Sequence, residues 1–179
     1  DAFDDEGFYR TGDAARCIDE ARPEHGLAFD GRIAEDFKLA TGTFVSVGPL
    51  RGRIIAAGAP FVQDAVITGL NRNEVGAMLF PTAAVRGLAG LPADAPLAEV
   101  LAHPAVLAHF QQVLNDLAAQ ATGSANRVAR LVLLAEPPSI DRGEVTDKGS
   151  INQRAVLQHR AALVEALHDG SAPNLLQPR

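Results

Sequence analysis

Cysteine is almost absent from this chain of 179 residues, because Cys17 is the only one. A single cysteine excludes an intramolecular disulfide, a thiolate metal cluster and a redox pair, since each needs more than one thiol. We predict that Cys17 is a small buried apolar residue on a strand. The sequence also lacks an apolar run of about 18 residues, the length of a transmembrane helix. Nothing at its start resembles a signal peptide, so we expect a cytoplasmic protein without a membrane span.

Basic residues are fewer than acidic ones, 16 against 22, and the formal net charge is −6. No basic stripe offsets this charge, which argues against nucleic acid as a partner. No serine lies in a GxSxG context, no histidine pair has the HExxH spacing of a zinc site, and no GxxxxGK phosphate loop occurs. A hydrolase is therefore unsupported. We interpret the five histidines as surface or satisfied core residues.

The order of the predicted elements indicates an α+β fold, with a small mixed β-sheet and helices packed on it. Strand patterns occur at 14–19, 27–30, 37–40, 43–46, 62–68, 75–80 and 128–134. Helical spacing occurs at 49–58, at 97–121 with a break expected at Pro104, and at 151–168. We divide the chain into a β-ribbon with the hinge at 1–32, a small α+β domain at 33–170 and a loose tail at 171–179.

Two stretches carry a resemblance to a known family. One is Tyr9-Arg10-Thr11-Gly12-Asp13, and the other runs from Gly31-Arg32 to Phe37-Lys38-Leu39-Ala40-Thr41-Gly42. Together they resemble the carboxy-terminal part of the adenylate-forming enzymes, which include acyl-CoA synthetases, peptide-synthetase adenylation domains and luciferases. The segment FKLATGTFVSVGPLR is most similar to aryl-acid and long-chain acyl-CoA ligases, feruloyl-CoA synthetase in particular. The resemblance spans about residues 3–167 and implies a fragment that lacks its large amino-terminal adenylation domain.

The resemblance implies a nucleotide site and a hinge in the first stretch. Asp13 would bind the ribose of the adenylate, since a carboxylate can accept hydrogen bonds from both ribose hydroxyls. Arg32 would face the ribose and phosphate oxygens, which suit its planar fork. The hinge follows, with Ala34 where many members have a pivot aspartate or lysine and Glu35 next to it, and the sequence leaves the pivot open. Without the resemblance, Asp13 would be interpreted as a turn cap and Arg32 as a surface ion pair.

The loop of Lys38, Thr41 and Gly42 resembles the family's segment that enters the active site for thioester formation. There it would line the channel for the pantetheine arm of CoA, which glycine allows to approach closely. The alternative is a tight turn between two short strands. Arg51 replaces the usual glutamate at the end of this motif, and either contacts a CoA phosphate or only changes the surface charge.

Lys148 lies in the polar loop between Gly143 and Ile151. The resemblance implies an essential lysine near the carboxy terminus, whose ammonium bridges the substrate carboxylate and the nucleotide α-phosphate. The order here is Lys-Gly instead of Gly-Lys, and an alignment anchored on the following helix would put Ser150 at the catalytic position. Feruloyl-type ligases resemble the DKG form, so Lys148 is the predicted catalytic residue. A solvated surface lysine is the alternative.

The implied activity is that of an acid–CoA ligase. The full-length enzyme would use ATP, Mg²⁺ and CoA to form an acyl-adenylate and then an acyl-CoA thioester. Ferulate or a related hydroxycinnamate is the expected acid, and a long-chain fatty acid is the second choice. We predict no metal ligands in this chain. Two other interpretations are a catalytically silent module that acts only when docked, and a stand-alone nucleotide-binding or regulatory domain.

Overall fold

The computed structural model describes residues 2–179. It begins with a two-stranded antiparallel ribbon of β1 (Asp13–Cys17) and β2 (Leu27–Arg32). A bulge after Ala14 shifts the register between the two strands. Cys17 lies on a strand as predicted, but it is only partly buried.

Two further sheets form the centre of the small domain. The short strands β3 (Phe37–Lys38) and β4 (Phe44–Val45) pair antiparallel. The larger sheet has the order β5 (Val62–Thr68), β6 (Val75–Pro81) and β7 (Val128–Leu133). In it β5 is antiparallel and β7 parallel to β6. The predicted mixed sheet is therefore confirmed.

Six α-helices surround this sheet. They are α1 (Val47–Gly58), α2 (Arg86–Ala89), α3 (Leu97–Ala102), α4 (Pro104–Ala119), α5 (Gln153–His159) and α6 (Ala161–Asp169). The expected break at Pro104 is confirmed, because the proline begins α4 and suits a first helical turn. The helical segment from Ala83 to Ala89 was not predicted, since it is too short to show a helical period.

Alternating side chains of the larger sheet enter two hydrophobic clusters, because successive strand residues face opposite sides. Ile67 and Leu79 join the cluster that includes residues of α1 and α4. Met78 and Phe80 join the second, which includes residues of α5 and α6. The sheet is thus covered by helices on both faces, and the α+β fold class is confirmed.

The single helix predicted at 151–168 is wrong. Helix α5 ends at His159 and α6 begins at Ala161, with Arg160 between them at φ −105° and ψ 27°. The Arg160 side chain is turned inward to Glu144 and to the carbonyl of Pro137. These contacts hold Arg160 outside helical geometry, and no glycine or proline marks the break in the sequence.

The last residues pack against the small domain, although we expected 171–179 to be loose. Leu176 pairs with Leu131 through backbone hydrogen bonds of 2.9 Å in both directions and is 8% exposed. Gln111 Nε2 also donates to the carbonyl of Gln177 at 2.7 Å. Between residues 2 and 179, no helix has the length and apolar character needed to cross a membrane.

Candidate functional site

The ribbon places Asp13 and Arg32 opposite each other. They are partners at the end of the β1–β2 ladder, so their side chains lie on the same face of the ribbon. Both residues are exposed, and the Asp13 amide donates to Thr11 Oγ1 at 3.1 Å. One carboxylate and one guanidinium side by side can accept from ribose hydroxyls and donate to phosphate oxygens.

A cavity of about 510 Å³ is lined by the end of β2, by α1 and by residues that flank Lys148. Its polar lining consists of Arg32, Glu35, Arg51, Thr146, Ser150 and Asn152. Guanidinium, hydroxyl and amide groups can donate hydrogen bonds to anionic oxygens. The structure therefore brings Arg32 and Glu35 together with a segment more than 100 residues away in the sequence.

Lys148 lies at the tip of a hairpin whose flanking residues reach that cavity. Thr146 N donates to Ser150 O at 2.8 Å, and Gly149 N donates to Thr146 O at 2.8 Å. Gly149 has φ +78°, which closes the turn and favours glycine. Lys148 is exposed, whereas Ser150 lines the cavity. The loop thus carries an exposed lysine at its tip and, two residues later, a hydroxyl that lines the cavity.

The base of this hairpin is held by Glu144 and Arg160, whose roles the sequence analysis missed. The Glu144 side chain is fully buried, and that of Arg160 is 9% exposed. Arg160 Nη2 donates to Glu144 Oε2 at 2.8 Å, and its Nε donates to Oε1 at 3.1 Å. The guanidinium holds the pKa of Glu144 below its ordinary value, against the effect of burial. The sequence does not single out this pair, because Arg160 is one of several charged residues in the helical pattern at 151–168.

Further hydrogen bonds connect this ion pair to both sides of the loop. Glu144 Oε2 accepts from Ser139 N at 2.8 Å, and Glu144 O accepts from Asn152 N at 2.8 Å. Arg160 also donates to the carbonyl of Pro137 at 3.0 Å. The loop therefore begins and ends on one buried, hydrogen-bonded centre.

The hinge region lies at the cavity wall. Ala34 and Glu35 belong to a single 3₁₀ turn, Ile33–Glu35, and only Glu35 lines the cavity. Burial raises the pKa of Glu35, and this effect is opposed by the positive charges of Arg51 and Arg32.

Arg51 is bound within the small domain. Its Nε and Nη2 donate to the two carboxylate oxygens of Asp64 at 2.7 Å and 2.6 Å. Both side chains are largely buried, with 17% and 15% exposure. A two-fold hydrogen-bonded pair of this kind occupies the fork of the arginine. The structure therefore favours a structural role for Arg51 over contact with a CoA phosphate.

The glycine loop lies elsewhere. Asn71 N donates to Lys38 O at 3.2 Å, and Ala40 N donates to Arg72 O at 2.8 Å. Gly42 has φ +83°, and Thr41 Oγ1 lies 3.1 Å from the hydroxyl of Thr43. None of Lys38, Thr41 and Gly42 lines the cavity beside Arg32. The structure thus places the Lys148 loop at the Arg32 cavity. The glycine loop of Lys38, Thr41 and Gly42 lies apart from that cavity.

Histidines contribute to packing and capping. The side chain of His103 accepts from Ala105 N at the start of α4. His168 Nε2 lies 2.8 Å from Thr68 Oγ1, and burial lowers the pKa of His168. His109 packs edge-on against Phe61. Within residues 2–179, no group of three or more His, Cys, Asp or Glu residues could hold a metal ion.

Comparison with solved structures shows the same fold in larger proteins. The A domain of a carboxylic acid reductase from Segniliparus rugosus, in complex with AMP and a co-purified carboxylic acid, matches with a TM-score of 0.66 and 22% identity over 96% of this chain and 25% of that one. The A domain of a carboxylate reductase from Mycobacterium chelonae matches with a TM-score of 0.64 and 26% identity, over 94% of this chain and 24% of that one. A fatty acyl CoA synthetase from Mycobacterium tuberculosis has a TM-score of 0.52 and 17% identity, over 90% and 26%.

The chain spans about a quarter of the length of these structures. No curated protein matches it. The family model described as the AMP-binding enzyme C-terminal domain matches residues 36–172, which is most of the chain. The chain therefore belongs to the family of AMP-binding enzyme C-terminal domains.

Proposed function

We propose that this chain is the carboxy-terminal part of an ATP-dependent acid–CoA ligase that acts on ferulate or a related hydroxycinnamate. The full enzyme forms an acyl-adenylate and then an acyl-CoA thioester. The observation that carries the proposal is the cavity that Arg32 shares with the Lys148 loop, with Asp13 opposite Arg32 on the ribbon. The choice of acid rests on the resemblance of the segment FKLATGTFVSVGPLR to feruloyl-type ligases.

In the first step an oxygen of the substrate carboxylate attacks the α-phosphorus of ATP. A bond from phosphorus to that oxygen forms, and the bond to the leaving pyrophosphate breaks. The Lys148 ammonium offsets the negative charge on the carboxylate and α-phosphate as they approach. Asp13 accepts hydrogen bonds from the ribose, and Arg32 donates to ribose or phosphate oxygens. These contacts fix the nucleotide relative to the lysine.

In the second step the thiol of CoA attacks the acyl carbon of the adenylate. The sulfur loses its proton, the carbon–sulfur bond forms, and AMP leaves. The loop of Lys38, Thr41 and Gly42 would line the pantetheine channel during this step. Since it lies apart from the Arg32 cavity in the present arrangement, the small domain must turn about the Ala34–Glu35 region to bring it in.

Mg²⁺ is implied by the chemistry of ATP, but the described part of the chain does not supply a site for it. Its carboxylates and histidines form no cluster of three or more potential ligands. We therefore assign the ion to the amino-terminal adenylation domain together with the ATP phosphates.

A second candidate for the acyl acceptor is the pantetheine thiol of a carrier domain. It is favoured by the similarity to carboxylic acid reductases, one of which is an A-PCP didomain in complex with AMP. The first half-reaction is the same for both acceptors. Only the thiol that accepts the acyl group differs, so a comparison of acceptors separates the two candidates.

The test is carried out on the full-length enzyme. Ferulate and palmitate are compared for acyl-AMP formation, and free CoA is compared with a phosphopantetheinylated carrier domain as acceptor. We expect acyl-AMP from ferulate, transfer to CoA, and a loss of about 10²- to 10³-fold in acyl-AMP formation for Lys148→Ala. The matched control is Lys38→Ala, because Lys38 is the only other lysine in the chain.

Each other outcome changes a defined part of the proposal. If the enzyme uses palmitate faster than ferulate, a long-chain fatty acid replaces ferulate as the proposed substrate. If the acyl group is transferred only to the carrier domain, the carrier thiol replaces CoA as the proposed acceptor. Full activity of Lys148→Ala would remove the catalytic role from that residue. The isolated chain should form no acyl-AMP, and specific AMP binding by residues 33–179 alone would favour a regulatory domain.

A further inference from the structure

At two glycines the backbone of the ribbon lies close to the backbone of the small domain. Gly31 lies near the end of β2, and Gly48 lies in the first turn of α1. A Cβ atom added to Gly48 would lie 2.8 Å from the carbonyl oxygen of Asp30 and 2.9 Å from the amide nitrogen of Gly31. Both neighbours are backbone atoms, so no side-chain rotation can make room for a methyl group.

This contact is part of the wall of the Arg32 cavity. Gly31 and Gly48 line it together with Thr146 and Ser150 of the Lys148 loop. Gly31 directly precedes Arg32, and α1 packs against β2. The distance from Arg32 to the Lys148 loop is therefore set by how closely the backbone of β2 lies against the start of α1.

We propose that Gly48 is a positioning residue for acyl-adenylate formation. Its missing side chain allows β2 to lie against α1, and this backbone contact holds the Lys148 loop opposite Arg32. The inference rests on the proposed function, because it assumes that Arg32 and Lys148 act on the same nucleotide. Gly48 has no side chain to act on the nucleotide and contributes only through the placement of the domain.

The substitution Gly48→Ala removes the contact with little effect on the helix itself. Gly48 does not have a positive φ, and alanine is a better helix former than glycine. The added methyl group can be accommodated only if the ribbon moves away from α1. A shift of about 1 Å in a catalytic group lowers rates by about 10²-fold. We therefore expect acyl-AMP formation to fall by about 10- to 100-fold.

Two half-reactions of the full-length enzyme distinguish positioning from general damage. Acyl-AMP formation from ATP and ferulate is measured first. Thioester formation is then measured from synthetic feruloyl-AMP and CoA, which bypasses the step assigned to Lys148. Gly48→Ala should slow the first reaction and leave the second within about threefold of the wild type, a change under 1 kcal/mol. Equal loss of both reactions, or no loss of either, would overturn the proposal.

Two control variants place the effect at the contact. Gly87 lies on α2, and a Cβ there meets no atom within 4 Å, so Gly87→Ala should leave both reactions unchanged. Gly52 lies one turn along α1, lines the cavity and is equally open. If Gly52→Ala slows acyl-AMP formation as much as Gly48→Ala, filling of the cavity explains the loss and the positioning role is wrong.

A distance measurement tests the contact independently of activity. Nitroxide labels are attached to cysteines that replace Arg16 on the ribbon and Ala57 on α1, both exposed. Cys17 is replaced by serine in all these variants, because it is a free and only partly buried thiol that would also be labelled. The wild type and Gly87→Ala should share one short distance between the labels. Gly48→Ala should lower the fraction of molecules at that distance and raise the fraction at longer distances. An unchanged distance distribution would overturn the inference. Wild-type enzyme that makes no acyl-AMP from any acid would instead contradict the proposed function, while the labels would still report on the contact.

Discussion

The only two lysines of this chain lie in two glycine-containing loops that are held in different ways. The loop of Lys38 and Gly42 is joined to the neighbouring Asn71–Arg72 turn by backbone hydrogen bonds. The loop of Lys148 stands on the buried pair of Glu144 and Arg160. Backbone hydrogen bonds exchanged for water contribute about 1 kcal/mol each, whereas separating a buried ion pair costs several times more.

This contrast indicates how each loop can reach a site. The Lys38 loop can change its contacts locally at small cost. The Lys148 loop is anchored in the domain, so it changes position together with the domain and not by itself. Under the proposed function, the present arrangement of the domain places the Lys148 loop at the Arg32 cavity, and a second arrangement would present Gly42. The predictions below test the contrast from the largest expected effect to the smallest.

The anchor of the Lys148 loop is broken most strongly by Glu144→Leu. The substitution leaves the Arg160 guanidinium buried without its carboxylate, and we expect the free energy of unfolding to fall by about 3 to 5 kcal/mol. Urea unfolding followed by circular dichroism measures the change. Asp147→Ala in the exposed tip of the same loop is the control and should be nearly neutral. A loss below about 1 kcal/mol for Glu144→Leu would mean that the pair does not anchor the loop.

The two loops can be compared directly through Gly149→Ala and Gly42→Ala. Both glycines have positive φ, +78° and +83°, and an added Cβ meets nothing within 4 Å in either case. Each substitution should therefore cost a similar backbone strain of about 1 to 2 kcal/mol in the free energy of unfolding. Their effects on activity should differ, with Gly149→Ala slowing acyl-AMP formation and Gly42→Ala slowing thioester formation. Two variants that impair the same half-reaction would contradict the division of roles.

Acid should weaken the anchored loop. Hydrogen bonding to Arg160 lowers the pKa of Glu144 in the folded protein. A carboxyl group with a lowered folded pKa contributes stability that is complete above its unfolded pKa and is lost as the pH falls through the folded pKa. We expect the free energy of unfolding to decrease over that acidic range, by less than in Glu144→Leu, because a protonated carboxyl can still accept a hydrogen bond from Arg160 and leucine cannot. Glu144→Gln should flatten this part of the profile, and an unchanged profile would assign the acid response to other carboxylates.

The smallest effect is expected beside the Lys38 loop. Arg72 pairs with Glu165, and both side chains are largely exposed, at 38% and 62%. Exposed ion pairs contribute about 0 to 1 kcal/mol, so Arg72→Ala should lower the free energy of unfolding by less than that amount. The hydrogen bond from Ala40 N to the backbone carbonyl of Arg72 does not involve the arginine side chain, so Arg72→Ala retains it. A double-mutant cycle with Glu165→Ala measures the coupling, and a value above about 2 kcal/mol would show that this loop is also anchored by charge.

Much of the fold follows from local patterns. The strand at 62–68 is confirmed with its predicted bounds, and the break at Pro104 is confirmed because proline cannot continue a helix. The break at Arg160 was missed, since it depends on a carboxylate 16 residues away. The docking of Leu176 on β7 was missed for the same reason, because a lone apolar residue in a tail does not identify its partner strand.

By itself the sequence determined most of the elements, the α+β class and the candidate residues, because periodicity and turn chemistry are local properties of the chain. Only the tertiary structure decided which candidates meet. It placed Arg32 and Glu35 with Thr146 and Ser150, and left Lys38 and Gly42 apart. The reason is that such proximity depends on how distant elements pack, here on a backbone contact at Gly48 that only a residue without a side chain permits.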